Sequence, residues 1–356
     1  MKRLPNLDPL RFILASFVIF LHLPIYCKNQ GLPYYDALPI FNRGGEAVRM
    51  FFVLSGFLII RLIYISKAKN SFSIRKFYMR RVLRIFPLYF VILVIGLVFY
   101  NYVLPALGIP FENTYDLVDG ILLSVFFLSN VFAFEYGPGG ILEVLWSIGI
   151  EEQFYLMIAP FSYFIRYKYL FLSLVALTII YFGVYHFSEL SFLRAYNFVY
   201  FYLFMGGVVA ILEEKQYLNI LKTSFIIPLI FAILTVLSFT TDVFNFEVYW
   251  IKDLIQSVLF SLFIHTLAFN NRGVIIDNKA LNYLGTISYG IYMLHFLAIN
   301  TVVFSFMKIE PLLVFNDLIT IILIFSSTFL ITIVLAHLSY KYFESYFLGL
   351  KTKFRS

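Results

Sequence analysis

Apolar runs long enough to cross a bilayer recur along the whole chain, and this constrains its fold more than any other feature. A hydrocarbon core about 30 Å thick takes roughly 20 apolar residues in a helix. Such runs lie near 7–27, 45–65, 82–104, 145–165, 169–187, 195–212, 223–241, 250–270, 284–307 and 312–340. Charged residues make up only 13% of the chain, against about 25% in soluble domains, so polar side chains are too few to cover a soluble core. The sequence predicts an all-α polytopic membrane protein, a bundle of about ten transmembrane helices. A further run, 117–134, is shorter and carries Asp119 and Asn130, which marks it as a re-entrant or interfacial segment. Non-spanning backbone at membrane depth is tolerated where protein or a cavity surrounds it.

Basic residues set the expected topology. Lys2, Arg3 and Arg11 place the start in the cytoplasm, Arg61 to Arg84 supply a cluster after the second run, and Lys341, Lys351, Lys353 and Arg355 place the end there too. With ten crossings, 21 of the 27 Lys and Arg residues fall inside and six lie outside or at outer helix ends. The net charge of +7 therefore reads as membrane topology, not as a nucleic-acid footprint. A single membrane domain over 1–347 and a short basic cytoplasmic tail over 348–356 are expected, with no internal repeat. Met1-Lys2-Arg3 runs directly into the first span with no cleavable-signal pattern. Cys27 is the one cysteine, so neither a disulfide framework nor a thiolate metal cluster is expected.

Five constellations stand out against this background. In the first run Arg11 and His22 are eleven positions apart, about three helical turns plus roughly 20°, which puts both on one face about 16 Å apart. Ionisable groups at membrane depth cost on the order of 3 kcal/mol each, so they mark functional sites. A histidine oriented by a partner can serve as a general base near neutral pH. A core histidine bonded to a backbone carbonyl is the simpler use.

The second is 146-WSIGIEEQFYL-156, where Glu151 and Glu152 adjoin Trp146, Ser147 and Tyr155. The topology puts Glu151 at the depth of His22, where a carboxylate would orient an imidazole. An exposed helix start, with acids complementing the dipole, is the alternative. In the third, Ser55 and Gly56 form a small step in a bulky apolar helix. That step could admit an acyl chain, or it could pack a neighbouring helix. The fourth sets Arg80, Arg81 and Arg84 at the cytoplasmic mouth, suited to phosphate and equally to plain anchoring. The fifth, 284-LGTISYGIYMLHF-296, brings Tyr289, Tyr292 and His295 into one span; Tyr292 and His295 are three apart and can share a face.

Together these stretches resemble the acyltransferase-3 family of polytopic membrane O-acyltransferases. The LD-x-LR start with Arg11 and His22, FFVLSGFLI at 51–59, RRVLRI at 80–85, WSIGIEEQFYL at 146–156 and ISYGIYMLH at 287–295 stand in family order. The resemblance implies transfer of an acyl group, usually acetyl from cytoplasmic acetyl-CoA, to a hydroxyl of an extracytoplasmic polysaccharide or lipid-linked glycan. Acyl-CoA would be a co-substrate, with no tightly bound cofactor and no metal. Carried over, Arg11 and His22 match the essential Arg/His pair, and Ser55 lies in the acyl-donor motif. Arg81 and Arg84 match the R-x-x-R pair, and Glu151 the first glutamate of W-S-x-x-x-E. Pro9 stands where Gly is usual and Arg49 where an acid commonly precedes the FF pair, which puts an outer acidic contact from that helix in doubt. No esterase-like segment follows the last span, so acceptor handling beyond the membrane core would fall to another protein.

The expected division of labour places Arg80, Arg81 and Arg84 on CoA phosphates and the thioester at Ser55-Gly56. His22, oriented by Glu151, deprotonates the acceptor, and Arg11 serves the donor or stabilises charge. Direct transfer is preferred to an acyl-enzyme, because Ser55 has no evident local base. A transporter or flippase with buried charges, and transfer of succinyl or to a small molecule, stay open as alternatives.

Overall fold

The computed structural model describes residues 4–109, 111–112, 114–270, 275–276, 278–309 and 316–354. Lys2, Arg3, Arg272 and Arg355, which contribute to the expected topology, lie outside the described residues. Among the described residues every regular element is helical. The principal helices are α1 (Leu7–Asn29), α2 (Gly44–Ala68), α3 (Ile74–Val98), α4 (Leu117–Val125), α5 (Ser129–Tyr136), α6 (Leu145–Phe164) and α7 (Tyr167–Phe187). They continue as α8 (Tyr200–Glu214), α9 (Ile226–Thr240), α10 (Tyr249–Phe269), α11 (Lys279–Thr286), α12 (Ser288–Ile309) and α13 (Asp317–Ser339). Side-chain oxygens of Asp116 and Asn316 accept from backbone N–H groups in the first turns of α4 and α13, satisfying donors that a helix start leaves open.

Seven of these helices are long and apolar enough to cross a membrane. They are α1, α2, α3 with its continuation to Ala106, α7, α10, α12, and α13 with its continuation to Phe354. About ten were expected. The other three expected spans fold as α6, α8 and α9, of 20, 15 and 15 residues. A 15-residue helix is about 22 Å long, short of the hydrocarbon thickness. The third, α6, has the length but carries Glu151, Glu152 and Gln153.

Residues 117–134 do not form one helix. Phe127 takes a left-handed conformation (φ 59°), which ends α4 and lets α5 begin two residues later. Side chains of α6 and α3 meet the backbone groups freed there. Gln153 Nε2 donates to the Phe127 carbonyl at 2.6 Å and to Asn130 Oδ1 at 2.9 Å. The Tyr89 hydroxyl donates to the Ser124 carbonyl at 2.8 Å. A broken helix in apolar surroundings needs such partners.

The helices form two compact units, Met1–Phe51 with Gln216–Tyr340, and Phe52–Lys215 with Lys341–Ser356. In the first, α1 packs on α11 and α12, α12 on α13, and α9 on α10. Ala15, Ile19, Ile287, Ile291 and Ala336 are wholly or almost wholly buried at its core. A Cβ on Gly285 would stand 1.9 Å from the Asp8 carbonyl oxygen, so that crossing depends on a glycine. In the second unit α7 packs on α8, and α6 on α3 and α5. There α2 and α8 meet backbone to backbone: a Cβ on Gly56 would lie 1.9 Å from the Leu203 carbonyl oxygen, and one on Gly206 2.1 Å from that of Val53. Small residues at such contacts let membrane helices approach closely.

Candidate active site

The second unit holds the motif residues of α2, α3 and α6. Ser55 and Glu151 are 96 residues apart in sequence, yet the Ser55 hydroxyl donates to Glu151 Oε1 at 2.6 Å. One turn along α6, the Tyr155 hydroxyl donates to Glu151 Oε2 at 2.8 Å. The Arg81 guanidinium lies over the Tyr155 ring at 5.6 Å and over Phe77 at 5.9 Å. Arg81 Nε is buried without a hydrogen-bond partner. Ser55, Glu151, Tyr155 and Arg81 thus form one connected chain from α2 through α6 to α3. Glu152, 4% exposed, keeps Oε1 unpartnered. Trp146 is wedged edge-on between Phe52 at 5.9 Å and Phe134 at 5.6 Å, and Ser147 is buried beside it in α6.

Four of the expected site residues have definite contacts here. The sequence offered Ser55 no local base, but the fold gives its hydroxyl a carboxylate. Within its own unit Glu151 accepts one hydroxyl on each carboxylate oxygen, from Ser55 and Tyr155. Gly56 serves the crossing with α8, where the Leu203 backbone fills the space a Cβ would need. Arg80 is tied to the C-terminal segment, its Nε and Nη2 donating to the Phe354 carbonyl at 2.8 and 2.6 Å. Arg84 has no carboxylate or carbonyl partner among the described residues. The sequence reading overlooked Lys351, whose ammonium lies within electrostatic range of Arg80, Arg81 and Arg84. A separation of some 270 residues hides that grouping, since only the packing of the C-terminal segment on α3 creates it.

The first unit holds the other half of the motif set. Arg11 pairs with Asp8 one turn earlier on α1, so the half-buried guanidinium has a local counter-ion. The His22 ring lies 5.4 Å from that of His295 and 4.6 Å from Phe296. Neither His22 nitrogen has a hydrogen-bond partner among the described residues. His295, fully buried, has Nδ1 2.6 Å from the Tyr292 carbonyl oxygen. Tyr292 packs against the His295 ring at 5.9 Å and Phe51 at 6.4 Å; Tyr289 lies half-buried one turn earlier on α12.

Arg49 pairs with Asp253 of α10 at 4.0 Å. The acid in doubt at position 49 has a counterpart one turn earlier. Buried Glu46 accepts from Lys252 at 2.9 Å and Arg43 at 3.4 Å, so the helix does present a carboxylate at that end. Among the described residues no group of three or more His, Cys, Asp and Glu could hold a metal ion.

A family model described as an acyltransferase domain matches residues 4–337. The chain is 26% identical to the peptidoglycan O-acetyltransferase OatA of Listeria monocytogenes, over 99% of its own length and 58% of that protein. It is 28% identical to a Staphylococcus aureus protein provisionally named as an O-acetyltransferase, over 98% of its length and 58% of that protein. An uncharacterized Haemophilus influenzae protein matches at 35% over 33% of the chain and 49% of its own length. The chain therefore spans little more than half of the two longer-matching relatives. No solved structure matches it.

Proposed function

The chain belongs to the acyltransferase-3 family, and from that premise we propose that it is a membrane O-acyltransferase. In this reading it moves an acyl group, acetyl in the first instance, from cytoplasmic acyl-CoA to a hydroxyl of an extracytoplasmic glycan. The observation that carries it is the linked set Ser55–Glu151–Tyr155–Arg81. Three separate motifs of the resemblance converge there on one polar chain in an apolar unit. Such chains are expensive to bury, which favours chemistry over packing. The printed name of the Listeria relative, a peptidoglycan O-acetyltransferase, favours acetyl as the group and a cell-wall glycan as the acceptor class.

Arg81 and Arg84, with Lys351 nearby, are cations suited to the CoA phosphates. Arg80 holds the segment that carries Lys351. His22 takes the proton of the acceptor hydroxyl as its oxygen bonds to the thioester carbonyl carbon. The C–S bond breaks, and the CoA thiolate leaves with the proton that His22 returns. Arg11, neutralised by Asp8, supports the donor side. Glu151 holds the Ser55 and Tyr155 hydroxyls in place, and transfer is direct. The chain resides in the cell membrane with both termini in the cytoplasm.

The test is the ester content of cell-surface polysaccharide by NMR. Cells carrying the wild type, His22→Ala or no protein are compared at matched membrane levels. Ester present only with the wild type supports the transferase and His22 as its base. Ester that persists with His22→Ala removes His22 from that role, and ester indifferent to the protein overturns the glycan acceptor.

A further inference from the structure

Two imidazoles meet in the first unit, and the steps above use only one. His295 is fully buried on α12, and its Nδ1 stands 2.6 Å from the Tyr292 carbonyl oxygen. A carbonyl oxygen only accepts, so Nδ1 carries the hydrogen of the bond. In the neutral ring that leaves Nε2 with a lone pair, and no donor reaches it. A buried acceptor left without a donor costs about 1–3 kcal/mol, and native proteins keep few of them. A histidine present only for packing has no need of that nitrogen.

The nearest titratable ring is that of His22, 5.4 Å away with the two planes 31° apart. At that separation a modest rotation brings a nitrogen of each ring within hydrogen-bonding reach. His22 has no other hydrogen-bond partner among the described residues. Glu151, the expected orienter, accepts two hydroxyls in its own unit.

We propose that His295 is the positioning residue of His22. Its Nε2 accepts the hydrogen of one His22 nitrogen, which leaves the other as the base toward the acceptor hydroxyl. The Tyr292 carbonyl fixes His295, and His295 fixes His22, by the logic that makes the buried partner of a catalytic histidine set its tautomer. When His22 takes up the acceptor's proton, the imidazolium keeps its bond to His295 Nε2. That proton then goes to the departing CoA thiolate, so His295 ends the cycle unchanged. This inference rests on His22 as base of the proposed transfer.

Two substitutions at one position separate this role from a structural one. In His295→Asn the amide N–H replaces the Nδ1 donor to the Tyr292 carbonyl, but nothing stands at Nε2. In His295→Gln the amide oxygen reaches the Nε2 position and can accept from His22. The measurement is acetyl-CoA-dependent thiol release by membranes from cells expressing each variant, at matched protein level and with KM for acetyl-CoA. His22→Ala and the wild type run alongside.

His295→Gln should stay within about tenfold of the wild type, while His295→Asn loses about a hundredfold or more in kcat, in the range of lost base catalysis. KM for acetyl-CoA should be unchanged in both. An equal loss in the two variants, or a better rate with Asn, overturns the proposal while wild-type activity and its loss in His22→Ala keep the transferase standing. Full activity of His22→Ala, or none in the wild type, removes the reading on which the proposal rests.

Discussion

Glu151 binds two hydroxyls with one carboxylate, and that geometry bears on how Ser55 takes part. A serine beside a carboxylate invites an acyl-enzyme, whereas direct transfer needs Ser55 only as a hydrogen-bond donor. Ser55→Ala should therefore cost about ten- to a hundredfold in turnover, the order of one hydrogen bond to a charged group. Intact-protein mass spectrometry after mixing with acetyl-CoA should find no acetyl group on residue 55; a trapped acetyl-Ser55 would replace direct transfer with a two-step route. The basic residues divide in the same way. Arg84→Ala and Lys351→Ala should each raise KM for acetyl-CoA about tenfold or more, as loss of a charge-assisted contact does, with kcat nearly intact. Arg80→Ala should instead free the C-terminal segment from its carbonyl anchor, visible as faster proteolysis after residue 345. Sequence alone reveals Tyr292 with His295 and Arg81 with Arg84, because helical spacing predicts which side chains share a face. It does not reveal Ser55 with Glu151 or Lys351 with Arg84, since those pairs exist only through tertiary packing.

Helix contacts show the same boundary between what pattern predicts and what packing adds. Asp119 and Asn130 in the sequence mark 117–134 as something other than a plain span, and the chain does break there. Nothing local points to the partners that stabilise the break. Gln153 and Tyr89 come from α6 and α3, and Phe127, a residue with no special liking for left-handed backbone, sits at the turn. At the α2–α8 crossing the sequence shows small residues without saying which faces meet. Gly206 lies against the Val53 carbonyl oxygen, whereas Gly183 on α7 has nothing within 4 Å of its Cβ position. Gly206→Leu should therefore destabilise the unit by about 1–3 kcal/mol or more through overpacking. The measurement is thermal unfolding of detergent-solubilised protein, with Gly183→Leu as the matched control that leaves the midpoint unchanged. Equal midpoints would mean that the crossing can open without cost.

At the scale of the whole chain, helix length and the placement of basic residues together bear on how many times it crosses the membrane. Seven helices qualify by length and composition; the basic residues favour ten, because Lys215 and Lys222 lie between two helices of only 15 residues each, α8 and α9. Short helices can still cross if the bilayer thins locally or flanking side chains reach its surface, at fractions of a kcal/mol per Å of mismatch. The placement of basic loops inside is a stronger constraint than that mismatch. Cys27 is 1% exposed, so the wild-type chain offers little background to a thiol reagent and single cysteines can be read directly. Glu189→Cys, Thr223→Cys and Val243→Cys bracket α8 and α9 at exposed positions. Ser71→Cys and Tyr35→Cys serve as inner and outer references. With ten crossings, a membrane-impermeant maleimide applied to intact cells labels positions 189, 243 and 35, and leaves 223 and 71 unlabelled until the membrane is opened. Labelling of 223 together with 189 and 243 would mean that neither short helix crosses. The Lys215–Lys222 loop would then lie outside, against the tendency of basic loops to stay in the cytoplasm.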